Sequence, residues 1–316
     1  MTNLSFFVAE SADMYPDSIA LRSNEVRSDD ITMTYAKLHV RLRQLSGYLA
    51  EIGIHPGDRV AVMLPNSLVF ALAYYGIMHA GAIVVPMSPL QSAGGVEFVL
   101  TTTAARALLA APLTAASVAG AEAAGVRCIA FDDATAVGLI QRCTPRDHAV
   151  SRSDDDTAVV LHTSGTTGVL QAVELTHGNL LRNQAIVASQ VLGLGPHDIV
   201  MDCLPLFDAF GMTYGLNATM SSGATLVLLP RFTPGDALDT LVAAKVTVFH
   251  GVPDMYAAIL SAAAVSANEV NTESLRVCTS RGDALPVDVL RRFESRFGCT
   301  VLESHGLSED FSGVVS

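Results

Sequence analysis

Residues 158–168 read AVVLHTSGTTG. Ala158 to Leu161 form an apolar run of strand length. Thr163-Ser164-Gly165-Thr166-Thr167-Gly168 then supplies backbone N–H groups and hydroxyls with little side-chain bulk. A loop of that composition at the end of a strand suits the wrapping of phosphate oxygens. The competing reading is a polar turn between a strand and the next element.

Working outward from this loop, strand-length and helix-length patterns alternate. Strands are expected at Arg59–Leu64, Ala82–Val85, Ala107–Leu109, Cys128–Phe131, Thr225–Leu229, Val246–Phe249, Arg276–Thr279 and Thr300–Leu302. Thr34, followed by Leu38, Leu42, Leu45, Leu49 and Ile52, reads as a capped amphipathic helix. Gly235–Ala244 and Val287–Phe297 carry helical patterns. Alternation of this kind predicts an α/β fold with two doubly wound, mostly parallel sheets flanked by helices. The polar stretch TPRDHAVSRSDDD, residues 144–156, is the clearest connection. It places a first α/β subdomain in residues 1–150 and a second, with the phosphate loop, in residues 151–316.

Composition narrows the function. Half of the 316 residues are apolar, enough for a large core, and 31 acids against 19 bases give a net charge of −12. That charge argues against nucleic acid as a partner. The cations are nearly all arginine, since Lys37 and Lys245 are the only lysines. Five scattered cysteines, without metal-ligand spacing, read as reduced thiols of a cytoplasmic protein. Leu68 to Val85 is almost wholly apolar, but it holds His79 and Gly81 and stops at Pro86, so it reads as a buried helix and strand rather than a membrane span.

Several ordered segments carry a family likeness. TSGTTG (163–168) with ELTHGNL (174–180), CLPLFDAFG (203–211), VTVFHGVP (246–253), SRGDALP (280–286) and SHGLSE (304–309) together resemble the motifs of the adenylate-forming superfamily. MTYAKL (33–38) and GDRVAVMLPN (57–66) resemble its opening. The likeness, closest to the N-terminal part of acyl-CoA synthetases and fatty-acid-CoA ligases, covers essentially the whole chain. It implies joining of a small-molecule carboxylic acid to ATP with release of pyrophosphate, and then passage of the acyl group to a thiol such as coenzyme A or a carrier. By the same resemblance, Thr163, Ser164, Gly165, Thr166, Thr167 and Gly168 hold phosphates. Ser308 contacts the α-phosphate, Glu309 the Mg²⁺ ion, and these two form the catalytic pair. His305 stands at the adenine-stacking position and Gly282 at the adenine turn, together binding ATP or AMP. The acyl pocket is implied at Asp208, His250, Gly251, Arg281 and Asp283.

Departures from the family pattern cluster in the same motifs. Pro-Lys-Gly after the phosphate loop is replaced by Leu170-Gln171-Ala172, so a cation becomes a neutral amide. Asp208 replaces a histidine, Asp254 a small residue, Arg281 and Asp283 the first glycine and the alanine of an SGGA turn, and Asp310 follows Glu309. The sequence stops at Ser316, so the family's mobile C-terminal lid domain is expected to be absent. Three functions follow: an ATP-using acid-activating ligase with impaired turnover, a non-catalytic binding relative, or an ATP-independent enzyme of secondary metabolism that uses a remodelled acyl pocket. A pocket holding Asp208, Asp283 and Arg281 would favour a polar or amine-bearing ligand over a long fatty acid.

Overall fold

Thr34 is extended and its side chain accepts the Lys37 N–H at 3.3 Å, so the chain enters a helix at Tyr35. Leu38, Leu42, Leu45 and Leu49 recur on one face and are fully buried. The helix at Leu68–His79 has no polar face, and every residue in it is buried. Among the described residues, no helix is long and apolar enough to cross a membrane. The structure is a computed structural model that describes residues 2–23, 31–163, 171–266, 270–305 and 314–315.

In chain order the strands are β1 (Ile19–Ser23), β2 (Ile31–Thr34), β3 (Arg59–Met63), β4 (Ile83–Pro86), β5 (Ala107–Ala110), β6 (Arg127–Ala130), β7 (Thr157–Thr163), β8 (Gln171–Thr176), β9 (Ile199–Asp202), β10 (Thr225–Leu228), β11 (Val248–Gly251), β12 (Val277–Ser280), β13 (Thr300–His305) and β14 (Val314–Val315). The α-helices are α1 (Phe6–Met14), α2 (Tyr35–Glu51), α3 (Leu68–His79), α4 (Ala93–Thr102), α5 (Ala115–Ala123), α6 (Asp133–Ile140), α7 (His177–Ile186), α8 (Ala218–Ser221), α9 (Pro234–Ala243), α10 (Pro253–Val265) and α11 (Val287–Phe297). Wider π-helical turns follow α7 at Val187–Val191 and precede α8 at Gly211–Asn217.

The expected fold class is the observed one. A six-stranded sheet runs β6-β5-β3-β4-β7-β8 and an eight-stranded sheet runs β14-β13-β12-β11-β9-β10-β1-β2. Pairing is parallel except at β1/β2, β7/β8 and β13/β14. The sheets do not part at the 144–156 connection. β7 joins the first sheet through Val84↔Val159, while β1 joins the second through Leu21↔Leu226. The 150/151 boundary therefore does not coincide with a division between sheets.

Strand alternation sorts the core into three apolar layers. Val60, Val62 and Val84 of one sheet and Val200, Leu226 and Val248 of the other face a shared middle layer with α1, α2 and α3. Ala61, Met63 and Val85 pack outward under α4 and α5. Met201, Phe249 and Cys278 pack outward under α9, α10 and α11. The order is thus helices, sheet, helices, sheet, helices.

Polar groups fix the middle layer. Asn217, fully buried at the end of the second π-helical segment, accepts from the Tyr75 hydroxyl at 2.9 Å and donates to the Tyr74 hydroxyl at 3.1 Å. His177 opens α7, as its place after ELT suggests, and its Nδ1 accepts the Leu4 N–H at 3.1 Å. Burial pushes this imidazole down to about 4, so it stays neutral and able to accept. Asn217→Ala leaves two buried phenols without that amide. It is expected to lower stability by about 2–4 kcal/mol, because stranded polar groups cost more than the bond they lose. Urea unfolding of Asn217→Ala against the parent checks this, and an unchanged midpoint refutes it.

Candidate acid-binding site

β9, β11 and β12 run side by side, and their C-terminal ends release the three segments that build the site. In such sheets the loops beyond the strand ends are where ligands bind. A cavity of about 290 Å³ opens there. Leu204, Pro205, Asp208, Ala209, Phe210 and Gly211 form one wall after β9. Val252 follows β11, and Arg281 with Gly282 follows β12.

Asp208 and Arg281 thus share one cavity. The Arg281 guanidinium lies 5.4 Å from the Phe210 ring centroid, a cation–π distance. Desolvation raises the Asp208 carboxyl above its ordinary value, while the Ala209 backbone and the positive charge of Arg281 pull it back down. Burial works against the charge on Arg281, opposed by Tyr214 and Asp208. Behind this wall, Phe210, Tyr214 and His250 pack edge to face, with Phe210 and Tyr214 centroids 4.7 Å apart and Tyr214 and His250 centroids 5.9 Å apart.

The other expected pocket residues are placed differently. His250 is fully buried beneath the cavity and does not line it. Its Nδ1 lies 2.7 Å from Thr279 Oγ1, and burial holds the ring neutral, down to about 3. Gly251 is buried too, and a Cβ there would come within 2.9 Å of the Phe249 ring, so this glycine serves packing. Asp283 is exposed and outside the cavity lining, because the turn at Gly282 (φ 104°) separates it from Arg281. The three-charge pocket expected from sequence is therefore a two-charge pocket. Asp254, in the first turn of α10, is exposed as well. Thr163 ends β7 and His305 ends β13, with only their backbones described. Ser164, Gly165, Thr166, Thr167, Gly168, Ser308, Glu309 and Asp310 lie outside the described residues.

Three supporting residues escaped the sequence reading. Asn66 is buried, donates from Nδ2 to the Leu204 carbonyl at 2.7 Å, and accepts the Leu206 N–H at its Oδ1 at 2.9 Å. It pairs with the cavity wall as a neighbouring strand would. Asp202 is fully buried, and its Oδ1 accepts the Leu204 N–H at 2.8 Å. A Cβ at Gly215 would sit 1.7 Å from Asp202 Oδ2, so only glycine admits this carboxyl. Glu303 accepts the Leu285 N–H at 2.8 Å and braces the 281–286 turn. The signals were present: an acid ending the apolar run IVMD, and an Asn closing the GDRVAVMLPN segment.

Two outcomes are expected. Asn66→Ala strands a buried carbonyl and a buried N–H, which should lower stability by about 2–4 kcal/mol in urea unfolding. Asp202 gives a pH signature. Burial pushes its carboxyl up to about 8, against the pull of the Leu204 N–H. The unfolded chain releases this proton near pH ~3.9. The folded chain keeps it longer, so the contribution is most favourable below about pH 4 and is lost as the pH rises through about 8. Asp202→Asn should flatten that fall. Unfolding midpoints across this range check it, and a difference between parent and variant that does not vary with pH contradicts it.

Known proteins agree with this architecture. The profile of the AMP-binding enzyme family matches residues 8–316. A benzoate–CoA ligase of Thauera aromatica is 31% identical over 285 residues, covering 87% of this chain and 54% of the relative. A long-chain-fatty-acid–CoA ligase of Bacillus subtilis is 27% identical, covering 97% and 60%. The crystal structure of a benzoate CoA ligase from Burkholderia xenovorans superposes with a TM-score of 0.89 at 28% identity, over 98% of this chain and 62% of that one. The chain thus spans between about half and three fifths of the length of these relatives. With the profile matched over nearly all its residues and the sheets laid out as in that ligase, the chain belongs to the AMP-binding enzyme family.

Proposed function

We propose that this chain is the acid-activating portion of an AMP-forming acid–thiol ligase, taking ATP with Mg²⁺ and a small carboxylic acid. The observation that carries the reading is the cavity beyond β9, β11 and β12, walled by the 204–211 segment and the 281–282 turn. At about 290 Å³ it is near the lower end of small-molecule sites, which suits a compact acid better than a long alkyl chain. Asp208 accepts hydrogen bonds from an amine or hydroxyl on the acid, and Arg281 stacked on Phe210 holds the other side. An acid carrying such a polar group is the preferred substrate.

The nucleotide fits this frame on one structural ground. Gly282 has φ 104°, and among the described residues a Cβ there would meet only Val252 Cγ1 at 3.7 Å. The turn therefore offers a bare backbone edge beside the cavity, the kind of surface against which a flat ring lies. Gly282 and His305 would hold the adenine, residues 163–168 the phosphates, Ser308 the α-phosphate, and Glu309 the metal. ATP supplies the adenylyl group: the acid's carboxylate oxygen bonds to the α-phosphorus and pyrophosphate leaves. Thiol acceptors such as coenzyme A or a carrier belong to the later half-reaction.

Gln171 limits affinity. It opens β8 and pairs with Thr163 across the hairpin, so it stands where the 164–170 connection returns to the sheet. A neutral amide gives roughly half the strength of a charged donor to phosphate. With a net charge of −12, the chain also repels a polyanion.

Calorimetry with ATP, with and without Mg²⁺, followed by pyrophosphate exchange over a panel of acids, tests the proposal. Weak ATP binding is expected, about tenfold tighter in Gln171→Lys at low salt and less improved at high salt. Exchange should be stronger with amine- or hydroxyl-bearing aryl acids than with fatty acids, and Asp208→Asn should erode that preference. Absence of ATP binding in both parent and Gln171→Lys, or a fatty-acid preference untouched by Asp208→Asn, overturns the reading.

A further inference from the structure

The outer helical layer carries a feature that acid activation does not use. α11 buries Phe293 and Phe297 against the sheet, with the Phe293 ring centroid 4.8 Å from that of Tyr256 on α10. Its opposite face presents Arg291, Arg292, Ser295 and Arg296, all exposed. Leu260 and Ala264 of α10 lie alongside, and these residues line a surface groove of about 460 Å³. Exposed Val265 ends α10 beside Ala264.

The charge of this groove is unusual for the chain. The protein carries 31 acids and 19 bases, yet three arginines gather within about one and a half turns of one helix. None of the three forms an ion pair with a described residue. The acid in their midst, Glu294, turns inward, where its Oε1 accepts the Val301 N–H at 2.9 Å. Arg292 and Arg296 stand four residues apart, a spacing at which like charges disfavour a helix. The Arg296 guanidinium lies 5.6 Å from the Phe297 ring centroid, which spreads it along the helix surface.

We propose that the groove between α10 and α11 receives an acidic amphipathic helix of a partner protein. Its apolar side would cover Ala264, the exposed Val265 and the small exposed part of the otherwise buried Leu260, and carboxylates one turn apart would face Arg291, Arg292 and Arg296. Helix-in-groove recognition needs both parts, an apolar strip and a flanking charge row. A small phosphate ligand would meet the guanidinium groups but leave the apolar strip uncovered. A nucleic acid or an anionic lipid surface would need a broader basic field than three arginines on an otherwise acidic chain.

The test uses the full chain and a fluorescein-labelled helix-forming peptide about four turns long, built from Glu, Leu, Ala and Gln. In one version Leu and Glu form adjacent stripes; in the other the same residues are scrambled around the helix. Anisotropy titrations at low and high salt should show saturable binding of the striped peptide, weakened by salt, with the scrambled peptide about tenfold weaker. Ala264→Glu and the double variant Arg291→Glu/Arg296→Glu should each weaken the striped peptide about tenfold without moving the melting temperature, since these side chains are exposed. Arg291→Gln/Arg296→Gln serves if charge reversal impairs folding. Equal binding of both peptides, equal binding by the variants, or no binding by the parent overturns the proposal. So does binding of phosphatidylserine vesicles in place of the peptide, or full displacement of it by inorganic phosphate at matched ionic strength.

Discussion

The carboxamide of Asn66 ties the two sheets together at the wall of the cavity. It comes from the turn after β3, in the six-stranded sheet, and takes both a carbonyl and an N–H from the segment leaving β9, in the eight-stranded sheet. That segment is the longest wall of the cavity. Without a partner, buried backbone groups there would have to recruit water or rearrange. The side chain therefore does what a missing strand neighbour would do. Asp202 fixes the same segment from its own strand through the Leu204 N–H. With its first residues tied from both sheets, the segment carries Asp208 and Phe210 to the cavity beside Arg281.

The chemistry of the site follows from this rigidity and from where charge is allowed. Beneath the cavity lies an apolar and aromatic floor in which His250 is held neutral and Asp202 holds its proton into the neutral range. Formal charge on the described cavity wall is thus confined to Asp208 and Arg281. Opposite charges facing across a small, partly desolvated space favour a ligand that presents a donor to one and an acceptor to the other. A purely aliphatic guest would leave both uncompensated.

Much of the fold was legible because it rests on local rules. α11 spans Val287–Phe297, as its helical pattern predicts, and α2 begins where Thr34 caps it. β1, β2, β8 and β9 were not foreseen. β8 is mostly exposed along its edge, and β9 is only Ile199–Asp202, so neither shows a long apolar run. The sheet to which β7 belongs is settled by pairing with β4, a long-range contact that no local pattern encodes. At the site, the motif segments led to Asp208, Arg281 and Gly282, which the cavity brings together. Asp283 was misplaced because a turn with a left-handed glycine does not keep the side-chain alternation of an extended strand. Asn66 stayed hidden because its partners lie far away in sequence and are backbone atoms, which are the same at every position.

The membership of β7 and β8 in the six-stranded sheet has a mechanical meaning. Thr163 and Gln171, on either side of positions 164–170, pair within that sheet, whereas the cavity opens at strand ends of the other. In the proposed reading, the eight-stranded sheet carries the acid together with the adenine and α-phosphate residues, the six-stranded sheet carries the two residues that flank the phosphate loop, and the helices of the middle layer lie between the sheets. The spacing of the two sheets then rests on buried side chains of that layer such as Tyr74, Tyr75 and Asn217, none of which lines the cavity. Close-packed interiors transmit such changes in volume as displacement. The gap between the two sheets thus works as a calliper, whose setting is written in residues that lie outside the cavity wall.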